Sequence, residues 1–204
     1  MLLPCLTTER LTLRQLQFTD DKAIFALRNN EQVNAFIQRP LLNSITDAHH
    51  FIIAINKGIE NEEWLYWALI LKSNQRLIGT ICLWHFSHDN SMAEIGYELH
   101  PDGQGAGLMN EAMQTVIDYA LNTLQLQTIE AYTQPGNTKS IRLLEKNNFS
   151  YNLASKDSHL NREIHFVLKA KGCGPEGPHP LALSLLFVSY LLHVLRYRIR
   201  YILP

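Results

Sequence analysis

The segment with the clearest chemical character is a glycine turn between an apolar strand and a helix. Gln104-Gly105-Ala106-Gly107 follows the strand breakers Pro101 and Gly103, and helical spacing of apolar residues begins beyond it. Such a turn presents unpaired main-chain N–H groups at the positive end of a helix dipole. Glycine has no Cβ atom, so an anion can approach the main chain closely. The turn is a candidate phosphate site; glycines that merely close a strand-to-helix turn are the alternative.

Two other phosphate-binding motifs are excluded by spacing. A P-loop needs Gly-Lys followed by Ser or Thr, which this segment lacks. A dinucleotide-binding turn needs a third glycine three residues after Gly107, where Asn110 stands. The preceding strand also belongs to a run of strands with short connections, which predicts an antiparallel meander rather than a βαβ unit.

The charge balance limits the classes of partner. The chain has 18 Lys+Arg against 19 Asp+Glu, so no basic excess marks a nucleic-acid surface, and we expect no nucleic-acid partner. Main-chain N–H groups can bind a polyanion without such an excess. Cysteine is sparse and lacks CxxC spacing, and the N-terminus has no signal-peptide pattern, so we expect a cytoplasmic protein. We expect no metal site, and interpret His85 and His88 as surface or packing residues.

The elements that must position the turn follow from periodicity. Alternation predicts strands and 3.6-residue spacing predicts helices, with Gly58 as a helix stop. The predicted order is strand 7–15, helix 20–30, helix 46–58, strands 64–72, 77–86 and 93–99, helix 105–124, strand 128–133, helix 137–147, and strands 149–153 and 163–169. Antiparallel strands that lead into a βαβα unit predict a mixed α/β (α+β) fold.

The composition changes after residue 171. A breaker-rich linker begins at Gly172, and residues 181–195 are almost wholly apolar before a basic end. This apolar run is shorter than the roughly 20 residues of a bilayer span. We therefore predict one domain over 1–171 and a linker plus tail over 172–204. The tail is a docking helix, a marginal membrane anchor or a stretch foreign to the domain, and the protein is a monomer or a homodimer.

The turn and its flanks resemble the acyl-CoA motif of the GNAT acetyltransferase superfamily, Gln/Arg-x-x-Gly-x-Gly/Ala. Gln104 and Gly107 match, while Met109 stands where the general pattern has Gly or Ala. The flanking residues, 95–101 and 108–112, resemble the RimJ/RimL branch, which tolerates methionine there. The opening Thr-Glu-Arg-Leu-Thr-Leu-Arg, residues 8–14, is also typical of this branch.

A second motif of the same family resembles a segment further on. Residues 137–140 read Asn-Thr-Lys-Ser, and residues 143–149 read Leu-Leu-Glu-Lys-Asn-Asn-Phe. Asn148 replaces the usual glycine, and asparagine tolerates the left-handed conformation that ends a helix. The resemblance covers about residues 7–169 and leaves out the tail.

The resemblance implies a GNAT-like, mostly antiparallel sheet in which the strands 93–99 and 128–133 splay apart, with flanking helices. Acetyl-CoA would be the co-substrate, with pantetheine in the gap and the pyrophosphate on the glycine turn. The implied cofactor-binding residues are Tyr97, Glu98 and Leu99 through their main chain, then Gln104, Gly105, Ala106, Gly107, Leu108, Met109 and Asn137.

Aminolysis of a thioester needs a proton acceptor for the amine and stabilisation of the departing thiolate. Ser140 is the candidate that protonates or orients the thiolate; an ordinary polar residue in a first helical turn is the alternative. Many relatives have a tyrosine one turn later, where this chain has Leu144. Glu94 and Glu98 share one strand face, and we prefer Glu94 as base over a structural carboxylate. Glu130 is interpreted as structural.

The function predicted is transfer of an acetyl group from acetyl-CoA to a primary amine, on a protein N-terminus or a small molecule. Because the usual tyrosine is absent, a non-catalytic acyl-CoA-binding sensor or scaffold is the alternative.

Overall fold

The computed structural model describes residues 3–152 and 164–170. The predicted linker and tail, 172–204, lie outside them. The strands are β1 Leu6–Thr7, β2 Leu11–Arg14, β3 Leu65–Leu71, β4 Leu77–Trp84, β5 Met92–Leu99, β6 Thr128–Thr133, β7 Ser150–Tyr151 and β8 Ile164–Lys169. The helices are α1 Asp21–Arg28, α2 Glu31–Asn34, α3 Ile45–Glu60, α4 Leu108–Asp118 and α5 Thr138–Lys146.

The strands form a single eight-stranded sheet in the order β1-β2-β3-β4-β5-β6-β8-β7. Each neighbouring pair is antiparallel except β5 and β6, which run parallel. The β5–β6 pairing covers three positions and stops at Glu94 opposite Glu130. Beyond that point both strands continue without pairing to each other. The mixed α/β fold and the splayed central strand pair are therefore as predicted.

The helices cover the two faces of the sheet. On one face α1 and α3 pack against β3 and β4, with Ile24, Phe51 and Ala68 in the buried cluster. On the other face α4 and α5 pack against the same sheet, with Met113 and Leu144 in a second cluster. Alternate residues of β3 belong to alternate clusters, because side chains of a strand point to opposite faces. Burial on both faces explains the continuous apolar sequence of β3.

The helix predicted over 46–58 does not stop at Gly58. The observed helix α3 runs from Ile45 to Glu60, with a Ser44 capping box at its start. Gly58 lies within it because the Trp64 ring packs there: a Cβ atom on Gly58 would be 1.9 Å from Trp64 Cζ2. The glycine is a packing requirement rather than a stop signal.

The helix predicted over 105–124 is also divided differently. Regular α-helix begins at Leu108, since residues 104–107 form turns, and it passes into a π-helical turn, Tyr119–Thr123. The strand predicted over 7–15 is interrupted between β1 and β2. No helix of the described residues has both the length and the apolar character needed to cross a bilayer.

Candidate active site

The start of α4 presents a series of main-chain N–H groups without acceptors. The first main-chain hydrogen bond of the helix is donated by Glu111 N–H to the Gly107 carbonyl, at 3.1 Å. The N–H groups of residues 105–110 donate to no main-chain or side-chain acceptor in the described part of the chain. Unpaired donors at a helix N-terminus form an anion site. This arrangement is compatible with the predicted phosphate turn.

Two glycines shape this turn. Gly105 and Gly107 both have φ +77°, a left-handed conformation that residues with a side chain adopt only at a cost in free energy. A Cβ atom on Gly105 would meet nothing within 4 Å, and one on Gly107 would lie 3.7 Å from Arg10 Nη2. The space beside the turn is thus open, as a ligand site requires.

Two cations flank the turn, which the sequence argument from main-chain donors did not include. Arg10 donates from Nη1 to the Ala106 carbonyl at 2.9 Å and is held by an ion pair with Glu111 at 2.7 Å. Lys139 donates to Gln104 Oε1 at 2.9 Å, and Gln104 Nε2 donates to the Leu99 carbonyl at 3.0 Å. The side chain of Gln104 therefore links the end of β5 to the start of α5. Nothing in the local sequence connects Arg10 with residue 106.

The main chain of β5 has free polar groups on its β6 side beyond Glu94. His100 N–H donates to the Ile78 carbonyl of the β4 side at 2.7 Å. The main-chain N–H and C=O groups of successive strand residues point to opposite sides of the strand. The main chain of Glu98, like that of His100, therefore points towards β4, whereas the main chains of Tyr97 and Leu99 point into the gap. Of the three residues predicted to pair with pantetheine, Tyr97 and Leu99 thus have the required main-chain orientation.

A pair of hydroxyl groups bridges β5 and α5. The Tyr97 hydroxyl lies 2.6 Å from Ser140 Oγ. Burial raises the pKa of Tyr97 to about 12, although the hydrogen bond with Ser140 lowers it. The phenol therefore stays protonated at neutral pH and can donate a hydrogen bond. Tyr97 was predicted to act through its main chain, and sequence reasoning missed its hydroxyl because a strand residue gives no sign of its contact 43 positions away.

The residues around Ser140 take structural positions. Asn137 caps α5 and accepts a hydrogen bond from the Ser140 N–H at 3.2 Å. Leu144 is fully buried in the core. The hydroxyl next to Ser140 comes from Tyr97 of β5.

The candidate base Glu94 is buried and bound to a histidine. Its Oε2 lies 2.9 Å from His85 Nδ1, and the His85 ring stacks on Trp84 with centroids 4.7 Å apart. An ionised carboxylate accepts this hydrogen bond from Nδ1, and in a neutral imidazole Nε2 would then carry the lone pair. His85 Nε2 is buried and has no partner among the described residues. His85 is packed as expected, but its bond to Glu94 was not anticipated.

Glu98, the second acidic residue on the same face of β5, already has partners for its carboxylate. Glu98 forms an ion pair with Arg39 at 2.7 Å and accepts a hydrogen bond from Thr80 Oγ1 at 3.2 Å. Among the described residues, no group of three or more His, Cys, Asp or Glu side chains could hold a metal ion.

Glu130 faces the same side as Glu94, because the two residues are paired in register on parallel strands. Tyr132 donates to Glu130 Oε2 at 3.1 Å, and His165 Nε2 lies 3.4 Å from Oε1. These contacts are compatible with the structural role predicted for Glu130.

The chain is similar in sequence to known acetyltransferases. The sequence model of the acetyltransferase (GNAT) domain matches residues 10–150. An uncharacterized N-acetyltransferase p20 of Bacillus licheniformis is 33% identical over 144 residues, which is 71% of this chain and 81% of that protein. The uncharacterized N-acetyltransferase YoaA of Bacillus subtilis (strain 168) is 32% identical over 146 residues, 72% of this chain and 82% of that protein.

A solved structure shares the fold. It is that of a putative ribosomal-protein-serine acetyltransferase from Vibrio cholerae, with a TM-score of 0.73 and 21% identity, and the match covers 83% of this chain and 100% of that one. At this identity the likeness shows the fold alone.

Proposed function

The chain belongs to the GNAT acetyltransferase family, and we propose that it transfers the acetyl group of acetyl-CoA directly to a primary amine. The observation that carries this proposal is the series of unpaired N–H groups over residues 105–110, at the open end of the gap between β5 and β6. A diphosphate bound there would place its attached chain at the mouth of the gap.

The gap supplies contacts for the rest of the cofactor. Tyr97 offers its main-chain N–H and C=O groups to the amides of pantetheine, and Leu99 offers its N–H, because the Leu99 carbonyl already accepts a hydrogen bond from Gln104 Nε2. The chain of the cofactor then runs towards Glu94, where the two strands meet. This course brings the thioester between the Tyr97–Ser140 hydroxyl pair on one face of the sheet and the Glu94–His85 pair on the other.

In this scheme His85 accepts the proton of the amine, and Glu94 orients His85. The amine nitrogen attacks the thioester carbon, the C–S bond breaks, and the nitrogen loses a proton to His85 Nε2. Glu94 holds the imidazole in the tautomer that leaves Nε2 free, which is the arrangement of an oriented general base. Glu94 therefore acts as a positioning residue in this scheme.

The departing thiolate is stabilised by the hydroxyl pair. The pKa of Tyr97 is about 12, whereas the ordinary pKa of a thiol is about 8.5. Full proton transfer from this phenol to a thiolate is therefore uphill, and Tyr97 and Ser140 act by donating hydrogen bonds. This assignment favours orientation of the thiolate over its protonation.

The non-catalytic alternative was based on Leu144, which lacks the hydroxyl of the usual tyrosine. The Tyr97 hydroxyl lies 2.6 Å from Ser140 Oγ, and this pair supports a catalytic role over that alternative.

Thiol release from acetyl-CoA, measured with a panel of small amines and peptides, tests the proposal. We expect amine-dependent release and an acetylated product by mass spectrometry. Binding of acetyl-CoA without release in the presence of any amine would leave only a binding module.

A further inference from the structure

Two buried guanidinium groups, those of Arg28 and Arg39, lie near the single carboxylate of Glu98 at the end of β5. Arg39 Nη1 lies 2.7 Å from Glu98 Oε2, with side chains only 9% and 6% exposed. Arg28 is 6% exposed and has no ion pair within 4 Å in the described part of the chain. Its guanidinium lies 4.0 Å from the centroid of the Phe51 ring. The cluster therefore buries one more positive charge than negative charge.

Donors of both arginines lack acceptors. Arg39 Nε donates to Asn34 Oδ1 at 2.8 Å, but Arg39 Nη2 is buried without a partner, as is Arg28 Nε, among the described residues. Burial of a charged donor without an acceptor is costly. Glu98 Oε2 lies 2.7 Å from Arg39 Nη1 but also makes no hydrogen bond within the described residues, so the two arginine donors remain available to an anionic ligand.

Glu98 forms its ion pair with Arg39 and not with Arg28. Its Oε1 accepts from Thr80, whose hydroxyl accepts in turn from Tyr66 at 2.9 Å. Burial lowers the pKa of Arg28; Glu98 raises it and Arg39 lowers it further, and the net shift is downward. This shift is expected for a guanidinium that lacks a counter-ion of its own.

The cluster lies on the same face of β5 as the proposed base pair of Glu94 and His85. Glu98 stands between Tyr97 and Leu99, and it points to the same face as Glu94. Arg39 belongs to the segment 35–44 between α2 and α3. That segment reaches the loop after β6, because a Cβ atom on Gly136 would be 3.3 Å from the Phe36 ring. The segment therefore contacts β5 through Arg39 and the loop after β6 through Phe36.

We propose that Arg28 and Arg39 form a subsite for an anionic group of the acceptor, which is a small primary amine that carries a carboxylate or a phosphate. This inference rests on the proposed acetyl transfer. Glu94 and Glu98 are four residues apart, about 13 Å along the strand. The separation favours an acceptor with several bonds between its nitrogen and its anion over an α-amino acid.

Matched acceptors test the subsite. Kinetics with saturating acetyl-CoA would compare 4-aminobutyrate and 6-aminohexanoate with their amides, and glucosamine 6-phosphate with glucosamine. We expect a higher kcat/KM for the charged member of at least one pair. Arg28→Gln and Arg39→Gln should raise KM for that member roughly 10- to 100-fold, the effect of one lost hydrogen bond between charged groups. The kcat should change little, because the contact is the same in ground and transition states.

Two further variants separate recognition from stability. Arg14→Gln breaks an ion pair with Asp20 in which both partners are satisfied, at 2.7 and 2.9 Å, and should lower Tm without changing KM. Arg39→Lys keeps the charge and should recover part of the KM. If the Gln variants change KM equally for charged and uncharged amines, the arginines are structural and the inference is wrong.

A binding measurement remains informative if no amine is acetylated, an outcome that would contradict the proposed function. Inorganic phosphate would be titrated by calorimetry into protein saturated with CoA, so that the glycine turn is occupied. Phosphate binding that Arg28→Gln and Arg39→Gln abolish would support the subsite. Absence of phosphate binding to the wild-type protein would overturn it.

Discussion

Replacement of Gly107 tests two separate requirements of the glycine turn, which are a left-handed backbone conformation and space for a phosphate group. In the free protein, a Cβ atom at this position would lie 3.7 Å from Arg10 Nη2, an ordinary contact, so alanine meets no clash. The residue has φ +77°, however, which imposes a backbone cost on alanine. In the complex the Cβ atom would also project into the space beside the N–H groups, where we place the diphosphate.

The magnitudes follow from these two effects. A left-handed conformation costs an L-residue ~1–2 kcal/mol. For a domain of this size, 1 kcal/mol shifts Tm by about 2–4 °C, so Gly107→Ala should lower Tm by roughly 2–8 °C. Displacement of the phosphate would lose at least one hydrogen bond to a charged group, worth ~1.5–3 kcal/mol, or about 10- to 150-fold in the Kd of CoA.

Gly107→Asn is the informative partner of the alanine variant. Asparagine tolerates φ above zero, as Asn148 with φ 63° does in this chain, so Gly107→Asn should be nearly as stable as the wild type. It still places a Cβ atom beside the phosphate and should therefore bind CoA weakly. Tm by calorimetry and Kd by titration measure the two effects. Wild-type CoA affinity in Gly107→Asn would refute the close approach of phosphate to the main chain.

Three other predictions concern the chemistry and the support of the turn. Tyr97→Phe and Ser140→Ala should each lower kcat about 10-fold or more with CoA affinity retained, and equal losses of both quantities would contradict a role in thiolate stabilisation. His85→Asn should lower kcat/KM by roughly 10²- to 10⁴-fold, and an unchanged kcat/KM would exclude His85 as base. Burial raises the pKa of Glu111, but hydrogen bonds from Thr8 and Arg10 outweigh it and leave the pKa below its ordinary value. The stability contributed by Glu111 is therefore present above about pH 4 and lost as pH falls through the folded pKa, so the Tm deficit of Glu111→Gln should close in acid; a deficit that grew in acid would contradict this assignment.

The fold was largely predictable because its signals are local. The apolar β-type runs of β3 to β5, the turn at residues 104–107 and the helical spacing after Leu108 each depend on neighbouring residues. The splayed pair was predicted from a family resemblance rather than from periodicity, and the pairing that stops at Glu94 agrees with it. Gly58 was misinterpreted because the sequence does not show that Trp64 packs on it.

The site was less predictable, because its chemistry arises from contacts between distant residues. Ser140 and Glu94 were identified as candidates, but the partners that define their roles, Tyr97 and His85, were not. The same holds for Arg39, which comes from an irregular segment without a motif. Which donors and acceptors meet depends on the three-dimensional arrangement of the strands and helices, and the sequence alone does not show it.

The central claim is that main-chain N–H groups over residues 105–110 bind the diphosphate of CoA. Amide proton–nitrogen correlation spectra of isotope-labelled protein, recorded during titration with CoA, test it most directly. We predict that several of these amide protons shift downfield in proportion to the bound fraction, since each gains a charged acceptor. Saturation of the protein with CoA while these resonances stay in place would contradict the account.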